Sequence, residues 1–316
     1  LIRSALQFCR RPRAYLFLVP FGLLLLAPSA TAQTRPTRLA VIDFGNTPTG
    51  LRAAEAIRET FRPSAEAPAT REVSVIDRDQ TRAAALGAGF AGTLNLTTQQ
   101  AKDLGAAMGC DFYLIGEAQT LRRSPSNKPS YYESYATVFL VSARAGRLVL
   151  WERPSVQSDA PEESEKALLA KLSSEETRYN YTIAMRRALV DERLERVNAV
   201  ENGPQIIAVM SDDDSDNNQG VRAPRAYRRL KPAYPDAAAR AEVEATVDVL
   251  VDIDARGEVG RVEIARWAGY GLDQSVVETV KQMHFFPAMR DGVAISMRVL
   301  LRYNFRKPPP EQNRSQ

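Results

Sequence analysis

The sequence predicts an α+β protein in two parts. An N-terminal mixed-sheet α/β domain comes first; a flexible linker then leads to a small domain with a three-stranded antiparallel sheet and two helices. Three observations predict this. Short apolar runs alternate with helical periods from residue 38 to about residue 120. The run SDDDSDNNQG (211–220) holds no apolar residue and cannot offset the entropy of its own ordering. Beyond it, Val243, Ala245, Val247, Val249, Val251 and Ile253 alternate with Glu242, Glu244, Thr246, Asp248, Leu250 and Asp252, the period of a strand with one buried face.

In order, RLAVIDF (38–44) is a strand stopped by the loop signal GNTPTG. LRAAEAIRETF (51–61) is a helix with Leu51, Ala54, Ile57 and Phe61 on one face. EVSVIDR (72–78) is a second strand. TTQQAKDLGAAMG (97–109) is a helix with Thr97 as N-cap and Gly109 at its stop. DFYLIGEAQ (111–119) is a strand; after the loop RRSPSNKPS, YYESYATVFLVSA and RLVLWER form a hairpin about the turn RAG. The charged helical stretch 162–200 offers Ala167, Leu168, Leu172, Ile183, Leu189 and Leu194 to cover the sheet. In the second part, DARG (254–257) turns the chain with Gly257 at a positive φ, and EVGRVEIAR returns. LDQSVVETVKQM (272–283) is a helix with Asp273 as N-cap and Leu272, Val276, Val280 and Met283 on one face. FFPA ends it, and AISMRVLLRYNF (294–305) is the last strand, with Ile295, Met297, Val299, Leu301, Tyr303 and Phe305 inward.

The formal net charge of +4 is local. Of the 42 basic residues, Arg3, Arg10, Arg11 and Arg13 lie in the first 32 positions, which hold no acid; 38 remain against 38 acidic ones. A balanced body argues against a broad grip on nucleic acid. The cationic RRPRA, the 13 apolar residues YLFLVPFGLLLLA (15–27) and the small residues ATA (30–32) read as an export signal cleaved before Gln33. Thirteen residues rise only about 20 Å as a helix, against about 30 Å of hydrocarbon; the alternative is an uncleaved inner-membrane anchor at residues 15–27. With Cys9 in the signal, Cys110 is alone and forms no intramolecular disulfide. The expected division is a signal at 1–32, the α/β domain with C-terminal helices at 38–200, an acidic linker at 201–227, the small domain at 228–307 and a disordered tail at 308–316.

KPAYP (231–235) before a short helix, the strand ending DIDARGEV, then LDQSVVETVKQMHFFPA and GVAISMRVLLRYNF together resemble the C-terminal domain of the TonB family, over residues 230–305. The chain departs from that pattern at AEVEA, where the family usually has glycines, and at His284, where it often has Trp. LAVIDF, VIDR, AKDLGAAMGCDFYLIGEAQ and ATVFLVSARAGRLVLWE, over residues 38–152, more loosely resemble curli-secretion and penicillin-binding-protein-activator lipoproteins and the TolB N-terminal domain. The lipidated Cys of those lipoproteins is absent. The first resemblance implies a non-enzymatic periplasmic protein that binds an extended segment of an outer-membrane or other envelope protein. The segment adds as a strand beside the last strand, with the Tyr-Pro element helping to hold it. The residues implied are Lys231, Pro232, Tyr234, Pro235, Arg298, Val299, Leu300, Leu301, Arg302, Tyr303 and Asn304. Pro232 and Pro235 remove two donors and keep the entry segment extended. Tyr234 either meets the guest or packs inward. An unpaired last strand offers a row of N–H and C=O groups to a guest, and Arg298 and Arg302 on its outward side either favour an acidic guest or are simply solvated. A transducer role adds inner-membrane motor proteins as partners, although residues 1–32 hold no His and no long Pro-rich spacer supports it. The alternative function is an envelope-assembly or peptidoglycan-associated adaptor working through the N-terminal domain.

Other motifs carry less. GAGFAG (87–92) matches G-x-G-x-x-G but follows a helical run rather than a strand. Counted from Asp212 as a calcium loop, the sixth and twelfth places hold Asn217 and Ala223 in place of Gly and Glu. His284 is the one histidine, so neither a multi-His metal site nor a Ser-His triad can be built. Asp43, Asp77 and Asp111 lie at strand ends without a mechanism. The sequence thus predicts no cofactor and no metal, and leaves the oligomeric state open.

Overall fold

LAV (39–41), FYLIG (112–116) and ATVFLVSA (136–143) carry apolar residues at successive positions, which a strand buries only when both of its faces are covered. The computed structural model, which describes residues 35–62, 72–124, 129–201, 208–210 and 220–307, shows both covers. The first half runs β1 (Thr37–Val41), α1 (Pro48–Phe61), β2 (Val73–Val75), α2 (Arg78–Gly87), α3 (Thr98–Met108), β3 (Phe112–Arg123), β4 (Tyr131–Ser142), β5 (Leu148–Glu152), β6 (Ser155–Ser158), α4 (Pro161–Leu172) and α5 (Glu175–Glu201). Its mixed sheet has the order β2-β1-β3-β4-β5, with β6 also on β4; β2, β1 and β3 are parallel and the rest antiparallel.

On one face Leu39, Val41, Phe112, Leu114, Val138 and Leu140 meet α1, α4 and α5. The α1 face that packs is Ala53, Ala54, Ile57 and Phe61, whereas Leu51, expected inward, is exposed. The charged helical stretch is two helices that break at residues 173–174. Its buried stripe is Leu168, Leu172, Tyr181 and Met185; Ala167 and Leu194 are exposed, and Ile183 and Leu189 only half-buried. A capping box at Thr97 and Gln100 starts α3, and Gly109 ends it at φ 61°.

The second half runs β7 (Ala208–Met210), β8 (Val221–Arg222), β9 (Arg225–Ala226), α6 (Asp236–Ala241), β10 (Ala245–Ile253), β11 (Val259–Arg266), α7 (Leu272–Lys281), β12 (Phe285–Phe286), β13 (Ala288–Arg290), β14 (Val293–Ile295) and β15 (Met297–Phe305). β11, β10 and β15 form the three-stranded antiparallel sheet, with Val247, Val249, Val251 and Ile253 buried as the alternation requires. Gly257 turns β10 into β11 at φ 86°, where a Cβ would collide with the Phe285 carbonyl. Two expectations shift. The last strand is broken at Ser296, leaving β14 to pair β13. Asp273 lies inside α7, behind Gly271 at the cap position; its carboxylate accepts the N–H groups of Ala268 and Gly269, both at 2.8 Å.

The other face of the N-terminal sheet is covered by α2, α3 and the second half itself. Contacts from Pro36 onward form a single compact unit, and one core joins Tyr113, Ile115, Phe139 and Val141 to Val249, Trp267, Leu272 and Val280. The link is the segment between β11 and α7. Trp267 stacks tilted on Phe139 at 5.7 Å and donates its indole N–H to the Gly146 carbonyl at 3.1 Å. Tyr270 meets Phe139 edge-on at 5.9 Å and Trp151 at 5.2 Å. Between these two rings stands Gly269 at φ 74°, where a Cβ would lie 2.4 Å from the Phe139 ring. Asn95 closes the joint: its amide donates to the carbonyls of Thr246 and Trp267 and accepts from the Thr246 N–H. Among the described residues no helix is long and apolar enough to cross a membrane. The expected signal at 1–32, the tail at 308–316, and residues 202–207 and 211–219 of the acidic linker lie outside the described residues.

Two outcomes follow. Trp267→Ala removes a large side chain with 1% exposure from the joint. It should lower the unfolding free energy by about 3 to 5 kcal/mol in urea denaturation, and a loss below about 1 kcal/mol would mean that the joint is held elsewhere. Burial raises the Asp273 carboxyl from the usual 3.8 to about 6, over the opposing effect of its two backbone hydrogen bonds. A raised folded-state pKa stabilises fully below the unfolded value and is lost as pH rises through about 6. Asp273→Asn should therefore abolish a fall in stability between about pH 4 and about pH 6, worth at most about 3 kcal/mol, in melts across that range.

Candidate partner-binding edge

β15 pairs β10 along one side over its whole length, from Met297↔Ile253 to Phe305↔Ala245. Its other side is where a guest strand is expected. That side is not wholly open: β7 pairs it in parallel at Met297↔Ala208, Arg298↔Val209 and Val299↔Met210. From residue 300 to residue 305 no strand among the described residues pairs it. Residues 299–304 form one wall of a groove of about 850 Å³. The opposite wall is the entry segment, which β8 and β9 tie to β13 and β12, away from β15. Pro224 and Pro232 line it, Pro232 buried.

The structure brings Lys231, Pro232, Val299, Leu300, Leu301, Arg302, Tyr303 and Asn304 together around this groove, and it leaves out Tyr234, Pro235 and Arg298. Tyr234 is engaged within the domain, where its hydroxyl donates to the Val243 carbonyl at 2.6 Å and its ring lies 6.1 Å from that of Phe305. Pro235 occupies the N-cap position of α6. The strand arginines are spoken for. Arg298 holds Asp252 through two bonds at 2.5 and 2.8 Å, and Arg302 shares the buried Asp248 with Arg266. Each is a cross-strand neighbour of its acid in the ladder, so opposite charges meet directly across the sheet. An acidic preference in a guest cannot rest on those two residues. Asn304 likewise accepts the Thr246 hydroxyl at 2.8 Å, and burial raises the Tyr303 phenol, whose hydroxyl points at the Met283 sulfur.

The acids at the strand ends of the first half also serve the fold. Burial opposes the charge of Asp43, but hydrogen bonds from Arg78 and from the buried Arg58 outweigh it and hold the carboxyl below its usual value. These groups line a second concavity of about 620 Å³ beside the end of β1 and Ile115 and Gly116 of β3. Asp77 caps α2, and Asp111 accepts the Arg38 N–H. GAGFAG begins at the end of α2 and opens no helix, so it lacks the strand-turn-helix context of a phosphate cradle. Burial pushes the Cys110 thiol up to about 12, which keeps it from acting as a thiolate. His284 is exposed beside Glu258, at 3.2 Å. Among the described residues no group of acids, Cys and His is placed to hold a metal. Sequence reasoning missed Trp267, Tyr270 and Asn95; a Trp and a Tyr set among glycines just past an alternating strand were the signal.

Residues 231–306 match the family of Gram-negative bacterial TonB protein C-terminal domains, and this part of the chain is a TonB-type C-terminal domain. Among known proteins, Protein TonB of Vibrio cholerae serotype O1 is 32% identical over 79 residues, which are 25% of this chain and 32% of that protein. The chain thus covers about a third of that relative. In structure, the TonB C-terminal domain of Pseudomonas aeruginosa is similar at 20% identity and TM-score 0.25, over 32% of this chain and 97% of that one. The rest resembles lipoprotein domains. Lipoprotein GNA1162 from Neisseria meningitidis matches at 18% identity and TM-score 0.31 over 46% of this chain and 97% of its own. The LpoB C-terminal domain from Salmonella enterica matches at 16% and 0.24 over 41% and 88%.

Tyr234→Phe deletes the bond to Val243 and nothing in the groove. It should cost about 1 kcal/mol of stability by denaturant titration while leaving partner affinity unchanged; a large affinity loss would put Tyr234 back in the binding surface.

Proposed function

We propose that this is a non-enzymatic cell-envelope protein, exported to the periplasm, whose TonB-type domain binds an extended segment of an envelope partner by strand addition on β15. An outer-membrane transport protein is the partner class the domain family suggests. The observation that supports this reading is the side of β15 at residues 300–304, which faces a groove and which no strand among the described residues pairs, next to a place where β7 already adds to the same edge. An edge that accepts one strand at Met297–Val299 offers the same donors and acceptors further along. Main-chain bonds supply affinity, and pockets on alternate positions supply selectivity. A guest that reaches past residue 300 toward Met297 has to displace β7. The adaptor reading is favoured by a different observation: the module shares one core with the N-terminal sheet, so the two halves present their surfaces as one body.

A photo-crosslinking residue at Arg302 in the full chain, irradiated in intact envelopes, should capture an extended periplasmic segment of an outer-membrane protein. Pro at Leu300 and at Leu301 supplies the control, because neighbouring N–H groups point to opposite sides of a strand and one of the two removes a guest-facing donor. Capture that survives both substitutions in folded protein, or that maps to a compact surface of the partner, would end the strand-addition reading.

A further inference from the structure

Two exposed leucines of the N-terminal half, Leu51 on α1 and Leu86 on α2, line one and the same concavity of about 620 Å³. It lies beyond the ends of β1 and β2. α1, which follows β1, packs on one face of the sheet, and α2, which follows β2, packs on the other. Neighbouring parallel strands whose carboxyl ends lead to opposite faces leave a crevice between those ends, the place where open α/β sheets take up ligands. Ile42 and Phe90 add to its apolar wall, and Phe90 comes from the GAGFAG loop. A Cβ at Gly45 or Gly92, both at positive φ, would meet nothing within 4 Å, so the lining is open at these two loops. The polar groups converge on the same space. Arg78 is held by Asp43 through Nε at 3.1 Å and one Nη at 2.9 Å, and Asp43 in turn by the buried Arg58 at 2.6 Å. The second Nη of Arg78 makes no bond among the described residues. Arg82, one turn on and exposed, makes no hydrogen bond or ion pair among them, not even with Asp79 on its own helix. Like charges four residues apart on a helix repel, and here no contact within the fold offsets that cost.

From these observations we infer that this concavity binds a small organic anion, a carboxylate or phosphate head on an apolar body. The head is taken by Arg82 and the outer Nη of Arg78, and the body lies against Leu51, Leu86 and Phe90. A guanidinium fork suits either head through charge-assisted bonds. Asp43 is a positioning residue: it pins Arg78 in one orientation before the ligand arrives, which lowers the entropy lost on binding. Sites for molecules of this kind run from about 300 to about 1,000 Å³, with a mostly apolar lining and a few placed polar groups, as here. The site is separate from the groove at β15 and does not rest on strand addition.

The test uses the full chain and three fluorescent probes with one apolar ring system: dansylglycine, with a carboxylate; dansylglycinamide, neutral; and dansylcadaverine, with an ammonium. Dansylglycine should bind with blue-shifted emission and at least about tenfold tighter than the amide, with the cation weakest. Benzoate and phenyl phosphate should both displace it, whereas acetate and inorganic phosphate, which have a head and no body, should not. Arg82→Gln should bring dansylglycine down to the level of the amide. Leu86→Asn should weaken acid and amide alike. Both side chains are exposed, so thermal melts of the two variants should match the unaltered chain. Equal binding of the acid and the amide overturns the inference, and so does a dansylglycine affinity that Arg82→Gln leaves unchanged. Displacement by acetate or inorganic phosphate as effective as by benzoate would mean a bare anion site, and the apolar body would fall. The same head groups also occur on lipids. If phosphatidylglycerol vesicles capture the chain through Arg82 while dansylglycine does not bind, the cations serve a membrane surface and the inference of a soluble ligand fails.

Discussion

The structure depends on the packing of the Trp267–Tyr270 segment against Phe139. β4 is apolar on both faces, and its Leu140 side is closed by helices. Its Phe139 side cannot be left to water: an uncovered aromatic and aliphatic sheet face is the kind of patch that drives aggregation. α2 and α3 cover only part of it, and the small domain supplies the rest through Trp267 and Tyr270. The same side chains build the small domain's own core, because Trp267 directly follows β11 and Tyr270 leads into α7. Neither half therefore finishes its core without the other, and the polar closure by Asn95 and Gly146 fixes the angle at which they meet.

This joint also decides which strand edge is left for a partner. A three-stranded sheet has two edges. β11 is spent on the joint, where Arg266 bridges Thr97 and Arg147 reaches Glu263 at 3.7 Å. β15 is the edge that remains, partly taken by β7. Its inner ladder to β10 is reinforced by Asp248 and Asp252, whose charges are matched by arginines on the adjacent strands. A buried carboxylate such as Asp248 is costly unless it is paired, so these arginines act first as its counter-ions. The groove's cations without an acidic partner among the described residues sit instead on the entry segment, which has almost no regular structure. Four cations there line the groove without straining any ladder.

The strict alternation from Val243 to Ile253 fixed both the strand and its buried face, because a one-residue slip would have put every valine in water. Thr97 and Gly109 announced the ends of α3 through cap chemistry that is local in sequence. What stayed hidden was long-range. Leu51 reads as a face residue of a helix, but which side of α1 meets the sheet is set by the approach of β1 and α4. Arg298 and Arg302 look like free edge charges until the register across to Asp252 and Asp248 is known. The doubly apolar β4 did state that two covers were needed. It could not say that the second cover lay more than a hundred residues further on, beyond an acidic run that reads as a boundary.

A joint of this kind constrains how a bound strand would act on the rest of the molecule. A guest on β15 extends the sheet β11-β10-β15, and tension along that guest loads the ladder between β15 and β10 in shear, all nine pairs together. From β10 the load passes to β11 and so to Trp267, whose indole is fixed to the turn between β4 and β5. The path runs through paired backbone and packed rings, without crossing residues 211–219. A module hung on a loose tether would dissipate such a load in the tether. Here a load on that edge would pass through paired backbone to the N-terminal sheet, so the two halves would take up the pull of a guest as one body. β7 sits at the start of that path, on the strand that would be pulled, and a guest long enough to reach Met297 exchanges one added strand for another without leaving the edge bare.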